Sequence, residues 1–145
     1  MGKAHDDERT FIAHLGFFDS EDDTCLPTGG ITVAYRANLQ GGLDIGIAEC
    51  SIRDRYNKVL GSKIATGRLT KKPLNAMVNQ SFIGSYRLGP VLQPIVANEK
   101  LSACLSVAKK SGKPLKITYR RGGYTLMTVL PTGEIIVNCT EVYPS

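Results

Sequence analysis

Arginines, lysines and tyrosines, rather than histidines or paired acids, dominate what chemistry this 145-residue chain offers. Over residues 53–72 seven bases (Arg53, Arg55, Lys58, Lys63, Arg68, Lys71 and Lys72) face one acid, Asp54. A second cluster, Lys116, Arg120 and Arg121, is flanked by Tyr119 and Tyr124. Guanidinium forks grip phosphate oxygens and aromatic faces stack on bases, so this mixture suits a nucleotide or a single strand. Phe82 and Tyr86, in a glycine-spotted stretch, are further stacking candidates. The competing reading of each cluster is a solvated face around core aromatics.

Catalytic signatures are missing at the level of motifs. There is no Gly-x-x-x-x-Gly-Lys phosphate loop, and Gly41, Gly42 and Gly46 miss the dinucleotide-fold spacing. Both histidines, His5 and His14, fall in a polar lead-in. That excludes paired His-x-Ser/Thr phosphoesterase chemistry and leaves a serine or cysteine nucleophile without a placed base. Acid pairs such as Asp22-Asp23 lie in the same polar stretch, where a raised pKa is hard to arrange. Cys25, Cys50, Cys104 and Cys139 form no Cys-x-x-Cys pair, which argues against zinc and for reduced, mostly buried thiols. His5 and His14 with Asp6 or Asp7 read as solvated tail residues rather than metal ligands. The expectation is a non-enzymatic protein with no metal and no cofactor.

Length and charge bound the partners. One domain spanning 1–145 is expected, with 1–28 an acidic lead-in. Residues 1–24 carry a net charge of −5 and residues 25–145 a net of +10. A basic body points to an anionic partner, phosphate above all. No apolar run approaches the ~18 residues of a membrane helix and Met1–Glu8 is no signal peptide, so a cytoplasmic protein without membrane contact is expected.

The elements that must position these groups follow from periodicity. The apolar island Phe11–Phe18 docks as a strand or short helix. Ile31, Val33 and Tyr35, then Leu43, Ile45 and Ile47, alternate about the turn residues 38–42 and predict a β-hairpin. Ser51 reads as an N-cap with Asp54 at N3, opening a helix over 52–66 that Gly67 ends. Its apolar stripe would be Ile52, Tyr56, Val59, Leu60 and Ile64. On that projection Arg53 and Arg68 lie within ~60° of each other, Arg55 and Lys58 form a second edge, and Lys63 falls inside the apolar arc. Gly61 marks a close approach by a helix, strand, ligand or second subunit.

Further on, one or two strands are expected within 76–86. A second helix runs over 98–110, with Leu101, Cys104, Leu105 and Ala108 on one face and Gly112 at C′. A three-stranded meander over 115–139 turns at 120–123 and 131–133. The order ββ-α-(β)-α-βββ predicts an α+β fold: an antiparallel sheet, made of the N-terminal hairpin and the C-terminal meander, with two main helices on one face.

The segment Cys50–Leu69 resembles a pattern found in small phage proteins, approximately C-S-x-x-D-x-F-x-K-K-x-G-R-x-I-A-x-G-R-L, placed after a strand. Its bearers include the anti-Thoeris sponge family, which sequesters cyclic ADP-ribose isomers and, in some members, cyclic oligonucleotides. Asp54, Tyr56 (for Phe), Lys58, Gly61, Ile64, Ala65, Gly67, Arg68 and Leu69 match, while Val59 replaces the second lysine and Ser62 the arginine after glycine. The match covers about twenty residues. The resemblance implies a phage counter-defence protein that encloses a small phosphorylated signalling nucleotide, as a homo-oligomer, without turning it over. The expected contacts are Arg68 first, then Lys58 and Arg120, with Arg121, Arg53, Lys63, Tyr119, Tyr124 and Phe82 around them. The alternative is a module of phage origin that binds single-stranded nucleic acid or a host protein.

Overall fold

A computed structural model of the chain describes residues 10–19, 24–38, 42–77, 108–120 and 125–137. Among these residues seven strands form one antiparallel sheet: β1 (Phe11–Asp19), β2 (Thr28–Ala37), β3 (Gly42–Arg55), β4 (Leu74–Met77), β5 (Leu115–Tyr119), β6 (Thr125–Val129) and β7 (Ile135–Val137). Their order is β4-β3-β2-β1-β5-β6-β7, and the sheet curls into a half-barrel. One helix, α1 (Lys58–Lys71), follows β3.

The predicted hairpin and meander both form, as β2–β3 and β5–β6–β7, but they are not the organising units. The apolar island is a central strand instead. β1 pairs with β2 on one side (His14 opposite Thr32) and with β5 on the other (Phe17 opposite Ile117), so it joins the two halves. Residues assigned to an acidic lead-in therefore include the middle of the sheet. Leu15 and Phe17 are fully buried, which is why this stretch cannot stay in a solvated tail.

The sheet has two unlike faces because side chains alternate along each strand. Leu15, Phe17, Ile31, Val33, Ile45, Ile47 and Ile117 make the large-residue face and the main core, which also takes in Ala108. The opposite face carries small residues, Ala34 and Ala48, and α1 covers it with Ala65 and Leu69. Hence α1 and residue 108 lie against opposite faces, correcting the expectation of two helices on one face. Residues 108–111 are helical and Gly112, at φ +70°, closes that turn by donating to Ala108 O at 3.0 Å. The rest of the predicted helix over 98–110 lies outside the described residues, as do residues 78–86 beyond β4.

The helix predicted over 52–66 is displaced. Residues 52–55 continue β3, whose end pairs with β2 through Thr28 opposite Arg55. Asn57, not Ser51, is the N-cap, its side chain accepting from Leu60 N at 2.9 Å. Ser51 instead accepts from Arg53 N within the strand. Gly67 does not end the helix. It runs to Lys71 and stops before Pro73, which disfavours a helical residue ahead of it.

The predicted stripe is wrong for a physical reason. α1 approaches the sheet too closely for large side chains: a Cβ on Gly46 would strike Ala65 O and the Leu69 backbone. Ala65 and Leu69 are therefore the buried positions, while Val59, Leu60 and Ile64 are exposed. Lys63 is likewise exposed, outside any apolar arc. Gly61 meets Thr32 of this same chain, so the close approach it marks is intramolecular. No helix among the described residues is long and apolar enough to cross a membrane.

Candidate functional site

Four hydroxyl and imidazole groups converge where the first turn of α1 meets the small-residue face. His14 on β1 and Thr32 on β2 are cross-strand partners, so their side chains leave the sheet side by side. Tyr56, in the connection between β3 and α1, lays its phenol over them. Its backbone N–H donates to Pro27 O at 3.1 Å, which anchors the ring's base. Its hydroxyl is hydrogen-bonded to Thr32 Oγ1 and lies 2.7 Å from His14 Nδ1. On the other side of the imidazole, His14 Nε2 is 3.4 Å from Ser62 Oγ, one turn into α1. His14, Tyr56 and Ser62 are half-buried, and Thr32 is fully buried.

The sheet makes room for this cluster with glycine. Gly30 sits at φ +148°, beside an irregularity in β2, and a Cβ there would lie 2.7 Å from Tyr56 Cδ1. No L-side chain fits either that conformation or that space. Gly16, next to the Leu15–Ile31 pair, would bring a Cβ within 3.0 Å of Arg120 Cγ. Gly61 similarly lets α1 settle on Thr32.

Arg120 completes the arrangement from the end of β5. Its guanidinium carbon stands 4.4 Å from the centre of the Tyr56 ring, a cation–π contact. Its Nη1 and Nη2 donate to Gly29 O at 3.3 Å and Leu26 O at 3.5 Å. Its backbone N–H donates to His14 O at 3.0 Å, fixing it beside β1. Lys58, exposed on the first turn of α1, stands four residues before Ser62 and hence on the same helical side.

The electrostatics follow from this placement. Partial burial holds the His14 imidazole below its ordinary pKa of 6.5, and the charges of Lys58 and Arg120 push it the same way. His14 is therefore neutral at pH 7, with one ring nitrogen free to accept. Burial raises the Tyr56 hydroxyl, against a lowering from Thr32 and Arg120. The cluster is a positively biased, neutral hydrogen-bonding site. It can receive an anion at its solvent edge. Among the described residues no group of three His, Cys, Asp or Glu side chains is placed to hold a metal.

The nucleotide-contact candidates separate into distinct places. Lys58 and Arg120 both act on the charge state of His14 here. Arg68 does not: its guanidinium donates to Ile47 O at 2.8 Å, tying α1 to β3. Arg53 is exposed on β3, so the common helical edge expected for it and Arg68 does not exist. Tyr119 packs against the large-residue core, on the face opposite Arg120. Lys63 is exposed on α1, and Arg121, Tyr124 and Phe82 lie outside the described residues. Cys25 and Cys50 are free thiols, half-buried rather than buried, and Cys104 and Cys139 lie outside.

His14, Thr32, Tyr56 and Ser62 were not legible as a set. The exclusion of a placed base rested on both histidines belonging to a tail, whereas His14 is in β1 within reach of Ser62. One signal pointed to it: a lone imidazole inside an apolar run, between Ala13 and Leu15, belongs to a buried strand with a polar companion. No protein-family model, curated protein or solved structure matches the chain.

Proposed function

We propose that this protein sequesters a small phosphorylated signalling nucleotide, a cyclic ADP-ribose isomer or a cyclic oligonucleotide, and does not turn that nucleotide over. The observation that carries this reading is the convergence of Lys58 and Arg120, from elements distant in sequence, on the half-buried His14–Tyr56–Ser62 cluster. A phosphate at its edge takes the Lys58 ammonium and the Ser62 hydroxyl. Among the described residues Arg120 directs two of its roughly five N–H donors at carbonyls, which leaves guanidinium donors to offer an anion. Charge-assisted bonds of this kind are each worth about 1.5–3 kcal/mol.

The segment that resembles the anti-Thoeris sponge pattern supplies Tyr56, Lys58 and Ser62 to this cluster. Ser62 stands where the pattern has arginine; of the other matches, Gly61, Ala65 and Leu69 have packing roles, and Arg68 binds a backbone carbonyl. On this reading the protein acts as a phage counter-defence sponge, a homo-oligomer in the cytoplasm of an infected bacterium. The test is incubation with cyclic ADP-ribose isomers and cyclic di- and trinucleotides, followed by heat denaturation. Release of intact ligand supports sequestration; a hydrolysed product moves the reading to an enzyme.

A second reading rests on a different observation. Arg53, Arg55, Lys63, Lys71 and Lys72 are exposed along the end of β3 and α1. Spread charges of this kind suit a single-stranded nucleic acid or an acidic host protein. Polynucleotide binding would then fall steeply with salt, each lost base removing about one unit of that slope.

A further inference from the structure

We infer that Ser62, His14 and Tyr56 form a nucleophile–base–orienter relay, able to cleave a small carboxylic ester that carries a negative charge. The claim goes beyond nucleotide binding and does not rest on it. An ester cleaved and a nucleotide held intact are read by different products, so either can fail alone.

The atoms stand in the required order. Ser62 Oγ faces His14 Nε2 at 3.4 Å, and His14 Nδ1 faces Tyr56 Oη at 2.7 Å. Tyr56 Oη is in turn bonded to Thr32 Oγ1 and lies 3.5 Å from Ile31 O. With Tyr56 donating onward to Thr32, its oxygen accepts from His14 Nδ1–H. That tautomer leaves the Nε2 lone pair towards Ser62, the arrangement by which a histidine activates a hydroxyl. A 3.4 Å separation is the looser geometry of an unliganded relay, which tightens when substrate arrives.

Each neighbour limits the alternatives. Among the described residues the groups facing His14 are Tyr56 from the β3–α1 connection, Thr32 from β2, Arg120 from the end of β5, and Lys58 and Ser62 from α1. None is a carboxylate, so nothing in this set favours an imidazolium at rest, and His14 stays a base at neutral pH. The Tyr56 ring packed against Gly30, and Thr32 packed against Gly61, pre-position the groups that orient the imidazole. Lys58, four residues before Ser62 on the same helical side, offers a cation to the substrate's negative charge.

The chemistry balances without a co-reactant other than water. Ser62 Oγ bonds to the carbonyl carbon while its proton passes to His14 Nε2. The bond from that carbon to the leaving oxygen then breaks, and the alcohol departs with the proton from His14. Water attacks the resulting Ser62 ester, His14 takes the water proton, and Ser62 Oγ leaves and regains it. No atom is oxidised or reduced.

The probes are p-nitrophenyl acetate and the monoanionic mono-p-nitrophenyl adipate, with release of p-nitrophenol and the mass of the modified peptide as readouts. The relay predicts an acyl group on Ser62 that Ser62→Ala abolishes and His14→Gln slows by roughly 10²-fold. It also predicts a preference for the adipate, over its spontaneous hydrolysis, that Lys58→Ala removes. If His14→Gln fails to fold, the wild-type acylation rate against pH decides instead, and it should rise to a plateau through a midpoint below 6.5. Acylation confined to lysines, unaltered in Ser62→Ala, overturns the proposal. So does a Ser62 rate independent of pH through that range, or equal in a folded His14→Gln chain.

Discussion

Tyr56 Oη lies 2.7 Å from His14 Nδ1, joining the central strand to the root of α1 across 42 residues of sequence. The same hydroxyl meets Thr32, and Arg120 covers the ring, so one phenol organises groups from β1, β2, β5 and α1. Removing that hydroxyl leaves His14 and Thr32 partly unpaired in a half-buried site. Tyr56→Phe should cost about 1–3 kcal/mol, read as a lower denaturant midpoint at unchanged slope.

Glycines on α1 and β3 should respond in opposite directions. At Gly46 a Cβ would meet helix backbone, which cannot step aside, so Gly46→Ala should cost about 3 kcal/mol. At Gly67 a Cβ would find nothing within 4 Å, and the backbone is helical. Gly67→Ala should therefore stabilise by about 0.8–1 kcal/mol. Thermal melts of the two variants check both signs.

The hairpin and meander were legible because alternation and turn residues agree there: Asn38 accepts from Gly42 N, and Gly133 turns at φ +100°. The apolar island was visible as a buried piece, but not as the strand joining both halves. Which strands pair at long range is decided by tertiary packing rather than by local pattern. The helix start was misplaced because Ile52 and Tyr56 fit a helical period equally well. What decided it was the β2–β3 pairing extending to Arg55. The exposed Val59, Leu60 and Ile64 follow from the small-residue sheet face, which α1 approaches through Gly61, Ala65 and Leu69. The site itself depended on that same hidden pairing, since it brings His14 to Thr32.

Acid should weaken the fold through His14. Its folded pKa is below 6.5, so between the two values the unfolded chain binds more protons and stability falls as pH falls. The contribution is present above pH 6.5 and is lost as pH drops through the folded value. Melting temperatures of wild type and a folded His14→Gln variant between pH 7.5 and 5 should show a steeper decline for wild type. Parallel declines would remove His14 from the account.

Arg68 and Lys58 should part company in binding. Arg68→Ala loses its bond to Ile47 O and should lower stability by about 1 kcal/mol, with little effect on nucleotide affinity once folded. Lys58→Ala should leave stability nearly unchanged and weaken nucleotide affinity ten- to hundredfold, from loss of a charge-assisted bond. Isothermal titration at two salt concentrations separates this from a screened surface charge, whose loss would be small and shrink as salt rises.

The central claim is that an anion sits at the His14–Tyr56–Ser62 cluster between Lys58 and Arg120. The direct measurement follows the His14 ring by NMR during titration with cyclic ADP-ribose isomers and cyclic dinucleotides, with a pH series at each end point. Burial is the larger cause of the lowered His14 pKa and the charges of Lys58 and Arg120 add to it; a bound phosphate offsets those charges, so the His14 resonances should move saturably and its pKa should rise on binding. A nucleotide that binds while the His14 shifts and pKa stay fixed would place the site elsewhere and contradict the account.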